Sequence, residues 1–298
     1  MKKIISIVLA LVMVCSLALV FTSCTDNKAP VNEEGSTEAE AAVESTDLVK
    51  LININLSDEQ YAFGVDKAQP ELLAQVNAFV NKILTDGTFD DICNNYFGDG
   101  TPLGVASAEL DESKDQLVVA TNAEFAPFEY KEGELYYGID MEIAALLAKE
   151  LGKELVIDNM DFDSVCLAVG QNKCDIAMAG LTIDPAREKS VTFSDSYYAA
   201  SQQIIVKADD TRFDGCADLA AVEAVLAALP EGTKVGAQTG TTGEAYVKGG
   251  SMGFDGLDAE CVSYDNGALA VQDLLNGGID FVVIDAAPAA AIVSSVNG

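Results

Sequence analysis

The sequence predicts an α/β protein with two lobes, each built on a largely parallel sheet flanked by helices. From residue 117 onward, short apolar stretches alternate with amphipathic helical stretches, and the alternation starts again after residue 214. This alternation is typical of parallel sheets, because each crossover between parallel strands usually contains a helix. The length of 298 residues also allows two medium domains.

The first segment has the pattern of a lipoprotein signal. Lys2 and Lys3 precede an apolar run over residues 4–21, and Phe21-Thr22-Ser23-Cys24 places small residues before a cysteine. We expect cleavage of residues 1–23 and acylation of Cys24, which would hold the protein on the outer face of the cytoplasmic membrane. A plain signal peptide or a membrane helix is the alternative. Residues 24–46 lack large apolar side chains and predict a disordered acidic tether.

The next part of the chain predicts two extended stretches and two helices. Residues 48–56 alternate apolar and polar side chains, and residues 59–65 form a second extended stretch. Pro70 opens an amphipathic helix that Gly87 ends, and a shorter helix follows over residues 89–96. Residues 98–116 contain Gly and Pro and predict a loop.

The alternating part supplies the two lobes. We expect strands at residues 117–121, 155–158, 176–179, 203–207, 234–237, 259–263 and 281–284. We expect helices at residues 140–151, 162–170, 185–191, 218–229, 243–247, 267–275 and 286–296.

The composition excludes several functions. The chain has 48 acidic and 17 basic residues, so its net charge of −31 would repel nucleic acid and anionic lipid. It contains no histidine, which removes Ser-His-Asp catalysis and His-ligated metals, and we expect no cofactor and no metal. Five cysteines follow Cys24, without a CxxC pair. Small buried thiols are the expectation, and a Cys166–Cys174 or Cys216–Cys261 bridge stays open.

One stretch, residues 175–198, predicts an anion site. A short apolar strand ends at Gly180, Asp184 is placed to cap a helix, and Pro185 is placed to start it. Arg187 then lies in the first helical turn, where a cation opposes the helix dipole at a cost of roughly 0.3–1 kcal/mol. A bound carboxylate would offset this cost, with Thr182 adding a hydroxyl. The alternative is a capped helix with a solvated arginine.

The same stretch resembles the signature of bacterial solute-binding proteins of family 3, the amino-acid receptors of ABC importers. The resemblance implies a type II periplasmic-binding-protein fold with two crossover hinge segments. It also implies that Arg187 and Thr182 clamp the α-carboxylate of the ligand and that the Gly180 carbonyl meets its ammonium group. The chain departs from the family in having Asp184-Pro185-Ala186-Arg187 where Thr-x-Glu-Arg is frequent.

The resemblance implies further ligand contacts at other strand ends. In lobe one, Phe125 and Phe162 would form aromatic walls, and Asn122 stands where the family often has Asp. In lobe two, Thr241 and Thr242 of a Gly-Thr-Thr-Gly turn would bind the carboxylate, and Asp285 would bind the ammonium. Gln238 and Ile284 would line the pocket of the ligand side chain. The alternatives are core packing for Phe125, helix packing for Phe162 and a helix cap for Asp285.

The order of the parts predicts a circular permutation. Residues 56–98 resemble the C-terminal end of the family, yet they precede its first strand at residue 117. We therefore expect lobe one at residues 59–198 and lobe two at residues 47–58 and 199–298. Crossings between the lobes are expected near residues 60–63 and 197–201. The alternative is a truncated receptor with an extra N-terminal domain.

These features predict a monomeric, lipid-anchored extracytoplasmic receptor that binds an α-amino acid and delivers it to an ABC permease. A neutral polar ligand is expected first, because Asn122 offers no counter-ion to a cationic side chain. An enzyme like the family's dehydratases is one alternative, with Glu124 and Asp285 as the candidate acids or bases. A ligand-sensing subunit that works with a membrane receptor is the other.

Overall fold

The computed structural model describes residues 47–298. The strands of this part are β1 (Val49–Ile52), β2 (Glu59–Tyr61), β3 (Gly64–Asp66), β4 (Gln116–Thr121), β5 (Glu124–Phe125), β6 (Glu129–Glu132), β7 (Leu135–Tyr137), β8 (Glu154–Asn159), β9 (Ile176–Ala177), β10 (Val191–Phe193), β11 (Tyr198–Ala200), β12 (Gln202–Lys207), β13 (Lys234–Gln238), β14 (Glu260–Tyr264) and β15 (Phe281–Asp285). The helices are α1 (Pro70–Asp86), α2 (Thr88–Phe97), α3 (Ile139–Leu151), α4 (Phe162–Gly170), α5 (Leu219–Leu226), α6 (Thr242–Lys248), α7 (Gly267–Asn276) and α8 (Ala286–Asn297).

Two five-stranded sheets of the same design organise the described chain. Their strand orders are β10-β3-β9-β4-β8 and β1-β12-β15-β13-β14, and we call the parts built on them lobe one and lobe two. In each sheet the first two pairings are antiparallel and the last two are parallel. Four strands of each sheet therefore run in the same direction and one, β3 in lobe one or β12 in lobe two, runs opposite to them. The prediction of largely parallel sheets is confirmed, and the reversed strand of each sheet is one that adjoins a connection between the lobes.

Two short strands connect the sheets side by side. β2 leads from β1 in lobe two to β3 in lobe one, and β11 leads from β10 in lobe one to β12 in lobe two. The two strands pair with each other in antiparallel fashion, with Tyr61 opposite Tyr198. Each connection is a few residues of extended backbone, so this pair is the hinge between the lobes.

The residues before β4 contribute to both lobes. β1 pairs with β12 at the edge of the lobe-two sheet, and β3 lies between β10 and β9 within the lobe-one sheet. Helix α1 buries its apolar face in the lobe-one core through Leu72, Val76, Phe79, Val80 and Ile83. Helix α2 is fixed to α3 because the Tyr96 hydroxyl donates to the Glu142 carboxylate at 2.6 Å. In the described structure this segment is thus not a separate domain.

The last helix holds the first strand. The Asn297 side-chain oxygen accepts from the backbone N–H groups of Leu48 (2.9 Å) and Val49 (3.2 Å). The Asn297 amide in turn donates to the Val49 carbonyl at 2.9 Å. Both ends of the described chain therefore lie together on lobe two.

The helix predicted over residues 185–191 does not form. Asp184 accepts from the Ala186 N–H at 3.1 Å, an Asx-type turn, and only a three-residue 3₁₀ turn follows at Arg187–Lys189. The β-branched and aromatic residues Val191–Phe193 then pair with β3 as strand β10. Sheet pairing at β10 thus overrides the local start signal at Pro185.

Other differences from the sequence are smaller. The predicted extended stretch 59–65 is divided into β2 and β3 where the chain crosses between the lobes. The antiparallel strands β5, β6 and β7 were not predicted, because they are short and lack a long alternating pattern.

Three expectations concern sites away from the sheets. The predicted signal segment and tether, residues 1–46, lie outside the described residues. Among residues 47–298, no helix combines the length and the apolarity that a membrane crossing requires. The five cysteines of this part are all unbridged, and Cys166 and Cys174 are buried.

Candidate functional site

Arg187 lies at the boundary between the lobes. Its Nη1 donates to the Thr182 carbonyl of lobe one at 2.8 Å, and its Nη2 donates to the Gly240 carbonyl of lobe two at 3.1 Å. The guanidinium also lies 5.2 Å from the centre of the Phe162 ring, a cation–π distance. Arg187 forms no ion pair with any carboxylate of residues 47–298. The guanidinium is thus positioned by carbonyls and an aromatic ring, with its charge available to an anion.

Gly180 allows a close approach beside Arg187. Its φ of +52° lies in the left-handed region, and a Cβ there would lie 3.0 Å from the Phe125 ring. The Gly180 N–H donates to the buried Asp140 carboxylate at 2.9 Å. This amide is therefore already hydrogen-bonded within the protein, whereas the Arg187 guanidinium forms no ion pair among the described residues.

Thr182 faces a buried carboxylate. Its hydroxyl donates to Glu59 Oε2 at 2.6 Å, and Glu59 Oε1 accepts from Ser57 Oγ (2.5 Å) and Gln202 Nε2 (3.1 Å). Glu59 lies on the hinge strand β2 and was not predicted as a site residue. To bind a carboxylate ligand, the Thr182 hydroxyl would have to give up its hydrogen bond to Glu59 and donate to the ligand instead.

Asp285 ends β15 and faces the hinge. Its Oδ1 accepts from the hydroxyl of Tyr61 at 2.5 Å, and its side chain makes no capping hydrogen bond to α8. The alternative role as a helix cap is therefore not what the geometry shows. Burial, and then the nearby Glu59 carboxylate, raise the pKa of Asp285 to about 7. A buried carboxyl in this position favours a cationic partner.

Two more buried carboxyl groups belong to lobe one. Burial raises the pKa of Asp140 to about 7, although hydrogen bonds from Gly180 and from the Tyr197 hydroxyl favour its charged form. Burial, followed by the charges of Asp140 and Asp285, raises the pKa of Glu129 well above its usual range. Neither carboxyl oxygen of Glu129 has a hydrogen-bond partner in the described structure.

Together with Glu59 and Asp285, these groups give the region around the hinge four buried carboxyls. None of the four forms an ion pair within residues 47–298. Those of the four carboxyls that are ionised favour a positively charged group over an anion in this region.

The glycine-threonine turn of lobe two faces lobe one. Gln238 Nε2 donates to Asn122 Oδ1 at 2.9 Å, so the ends of β13 and β4 meet. Thr241 caps α6: its hydroxyl accepts from the Glu244 N–H at 3.3 Å and donates to the Gln238 carbonyl at 2.7 Å. Thr242, the first residue of α6, is buried. The expected role of Thr241 in carboxylate binding is thus in competition with its role as a helix cap.

The predicted residues of the two lobes therefore meet along one boundary. A further contact across this boundary joins Asn266 of lobe two to the Glu124 carboxylate of lobe one. The enzyme alternative named Glu124 as a candidate catalytic acid, which would have to point into the buried region. Glu124 is instead exposed.

Three cavities flank these contacts. One of about 680 Å³ is lined by Phe125, Ile284 and residues of α7 and α8. A second of about 570 Å³ is lined by Glu59, Thr182 and the loop containing Met252. A small one of about 40 Å³ lies at Tyr61 and Asp285. The larger two fall within the size range of small-molecule pockets.

Sequence reasoning missed Glu59 and Tyr61, which contact Thr182 and Asp285 directly. They lie 123 and 224 residues from these partners along the chain. Their position at a predicted crossing between the lobes was the available signal, because a crossing must pass the cleft.

The fold and the boundary site define a two-lobe binding protein, and comparison with known families agrees. Residues 117–285, more than half of the chain, match the model of the bacterial extracellular solute-binding proteins, family 3. The chain belongs to this family.

Individual relatives are similar over part of their length. The arginine-binding extracellular protein ArtP of Bacillus subtilis is 39% identical over 109 residues, 37% of this chain and 43% of that protein. The probable histidine-binding protein of Neisseria gonorrhoeae is 32% identical over 178 residues, 59% of this chain and 61% of that protein. The chain thus spans less than two thirds of the length of both relatives.

Solved structures give the same picture. The crystal structure of an ancestral amino-acid-binding protein, a precursor of cyclohexadienyl dehydratase, has a TM-score of 0.53 at 34% identity. The match covers 61% of this chain and 76% of that one. The holo arginine-binding protein of T. maritima has a TM-score of 0.51 at 32% identity, over 62% of this chain and 75% of that one.

Proposed function

We propose that the protein is a monomeric, lipid-anchored extracytoplasmic receptor that binds an α-amino acid between its lobes and delivers it to an ABC permease. The observation that carries this proposal is Arg187, which donates to a carbonyl of each lobe and forms no ion pair among residues 47–298. Family membership supports the same function.

In this proposal the two ends of the amino acid contact different lobes. Arg187 holds the α-carboxylate with Thr182, and Asp285 with the Gly180 carbonyl holds the ammonium. Phe125 and Phe162 enclose the ligand from lobe one, and the Gly-Thr-Thr-Gly turn adds Thr241 and Thr242 from lobe two. Because both sets of contacts need closed lobes, ligand shifts the population toward the closed form.

The ligand side chain has two candidate classes. A neutral polar side chain is our first proposal, because Asn122 and Gln238 present uncharged amides. A cationic side chain is the second, favoured by the four buried carboxyls without an ion pair. The names of the relatives, which are arginine- and histidine-binding, support the second class.

A screen of the twenty amino acids by thermal shift, followed by calorimetry of the best ligands, tests the function. We expect at least one free α-amino acid to bind. Amidation of its α-carboxylate should abolish this binding. If no amino acid raises the melting temperature of the folded protein, the proposal is wrong.

We also propose that the family order is circularly permuted, with lobe one at residues 59–198 and lobe two at residues 47–58 and 199–298. The family match begins at Leu117, while β1, β3, α1 and α2 precede it and are integrated in both lobes. The contacts of Asn297 with the backbone of Leu48 and Val49 support this proposal, because they join the last helix of the described chain to its first strand.

The anchoring part of the proposal rests on residues 1–46, which lie outside the described residues. Substitution Cys24→Ala is expected to abolish the incorporation of labelled fatty acid into the protein in cells that express it. Undiminished labelling of the Cys24→Ala protein would contradict lipidation at this residue.

A further inference from the structure

The amide pair Asn122–Gln238 is buried at the point where the two lobes meet. Gln238 is 2% exposed and Asn122 is 7% exposed. Asn122 lies directly after β4 of lobe one, and Gln238 ends β13 of lobe two. Both belong to the proposed ligand site, and Gln238 precedes by two residues Gly240, whose carbonyl accepts from Arg187.

The orientation of both amides is fixed by a chain of hydrogen bonds. The Met160 carbonyl can only accept, so Asn122 must direct its Nδ2 toward it, at 2.9 Å. Asn122 Oδ1 then faces Gln238, which must present Nε2 to it, also at 2.9 Å. Gln238 Oε1 consequently points away from Asn122.

Gln238 Oε1 is buried and has no hydrogen-bond partner in the described structure. A complex that leaves a buried acceptor unpaired is expected to bind its ligand roughly 5- to 150-fold more weakly than a complex in which the acceptor is paired. Within residues 47–298 no donor reaches Gln238 Oε1. The Thr241 hydroxyl donates to the Gln238 carbonyl, and Arg187 directs one N–H group to the Thr182 carbonyl and one to the Gly240 carbonyl. A donor for Oε1 is therefore expected from outside the described residues.

We propose that Gln238 Oε1 accepts a hydrogen bond from an N–H group on the side chain of the ligand. This restricts the ligand to amino acids whose side chain ends in an amide, guanidinium, imidazole or ammonium group. An apolar side chain leaves the acceptor unpaired, and a carboxylate side chain adds a second acceptor beside it. The inference rests on the proposed function, and it names the class of ligand for that site.

The test compares ligands of similar shape in calorimetry. L-Glutamine, L-arginine and L-histidine carry N–H donors, whereas L-norleucine and L-glutamate at neutral pH do not. The best donor-bearing ligand is expected to bind at least tenfold more tightly than L-norleucine. Substitution Gln238→Met removes the acceptor at similar volume and is expected to reduce this ratio at least fivefold.

The ratio, rather than the absolute affinity, is the diagnostic quantity. Gln238→Met also breaks the bond to Asn122 that joins the lobes, and this loss weakens all ligands alike. The matched control is Gln203→Met, since Gln203 is a buried amide of lobe two whose Nε2 donates to Asn53 and Asn55 instead. The control should leave the ratio unchanged.

The two ways of failing are distinct. If amino acids bind but L-norleucine or L-glutamate matches the donor-bearing ligands, or if Gln238→Met leaves the ratio unchanged, the inference is wrong and the receptor function stands. An ordered water as the partner of Oε1 would give this unchanged ratio. If no amino acid binds, the proposed function fails and the inference fails with it.

Discussion

Charge is distributed unequally among the residues at the lobe boundary. Arg187 is the cation there, and its guanidinium donates to two backbone carbonyls. Glu59, Glu129, Asp140 and Asp285 are buried nearby without ion pairs among the described residues. In the proposed function, a zwitterion would give Arg187 a carboxylate and Asp285 an ammonium, and the ammonium would compensate the desolvation of the buried Asp285 carboxylate.

Removal of the Arg187 guanidinium is expected to abolish measurable amino-acid binding. Loss of one partner of a buried charge pair costs about 2–5 kcal/mol, which is roughly 30-fold or more in Kd. Calorimetry of Arg187→Ala with the best ligand measures this loss. Lys189→Ala is the control, because Lys189 is an exposed cation of the same turn. Near-normal affinity of the Arg187→Ala protein would remove the central contact of the proposal.

Ligand affinity is expected to fall as the pH drops below about 7. The pKa of Asp285 is raised to about 7 by burial and by the Glu59 charge, so the carboxyl gains a proton in this range and no longer attracts the ammonium. The loss should approach roughly tenfold per pH unit below the pKa. Calorimetry between pH 5.5 and pH 8 measures it.

Asp285→Asn should lower the affinity and flatten the pH profile of binding. A profile that keeps its slope in Asp285→Asn would assign the pH dependence to another group.

Glu129 is expected to destabilise the fold as the pH rises. Burial raises the pKa of Glu129, so the folded state holds its proton more tightly than the unfolded chain. The stability from this group is complete below the unfolded value of 4.5 and is lost as the pH rises toward the folded pKa. The unfolding free energy of Glu129→Gln should therefore rise relative to the natural chain between pH 5 and pH 8, by up to about 1.4 kcal/mol per pH unit.

Denaturant unfolding at both pH values tests this prediction. Glu132→Gln, an exposed position of the same strand, should show no such difference. Equal pH dependence of the Glu129→Gln and natural proteins would show that Glu129 is charged in the fold.

Among the elements, helix α1 allows the clearest test of whether the residues before β4 pack in the lobe-one core. Phe79 on α1 is buried in the lobe-one core, whereas Leu84 on the same helix is 41% exposed. Phe79→Ala should lower the unfolding free energy by about 3–5 kcal/mol, because it leaves a cavity in the core, and Leu84→Ala should lower it much less. Denaturant unfolding of both variants measures the difference. A Phe79→Ala protein of unchanged stability would mean that α1 does not belong to this core.

Elements with strong local signals were predictable from the sequence. Pro70 and Gly87 mark the ends of α1, and α4 occupies the predicted residues 162–170. Residues 185–191 were not predictable from local signals, because the pairing of Val191–Phe193 with a strand more than 120 residues earlier decides their structure. The short strands β5, β6 and β7 gave too few residues for a period to be visible.

The positions of residues that belong to a sequence motif were predictable. The contacts between residues that are far apart in the sequence were not. Gln238 and Asp285 end their strands and lie at the lobe boundary, as does Arg187, although the helix predicted to carry Arg187 does not form. Their contact with a ligand stays a prediction. The contacts of Glu59 with Thr182 and of Tyr61 with Asp285 depend on how the hinge passes the cleft, which no local pattern reveals.

For the whole molecule, the order of the parts is the property most open to experiment. A variant that joins Gly298 to Asp47 through a short linker, with new ends inside residues 98–115, should fold and bind the same ligand. The reason is that Asn297 already bonds to Leu48 and Val49. Circular dichroism and calorimetry measure fold and affinity, and an unfolded rejoined chain would contradict the permuted order.

Because Asn297 is hydrogen-bonded to the start of β1, both ends of the described chain belong to lobe two. A donor and an acceptor fluorophore attached at residues 47 and 298 would stay at a fixed separation when the lobes close. The efficiency of energy transfer between them would therefore not change when a ligand binds. The loop at residues 98–115 lies against lobe one, where Val105 pairs with Tyr136 and the Ala108 N–H donates to the Leu155 carbonyl. One fluorophore in this loop and one at either end would turn the same motion into an optical signal.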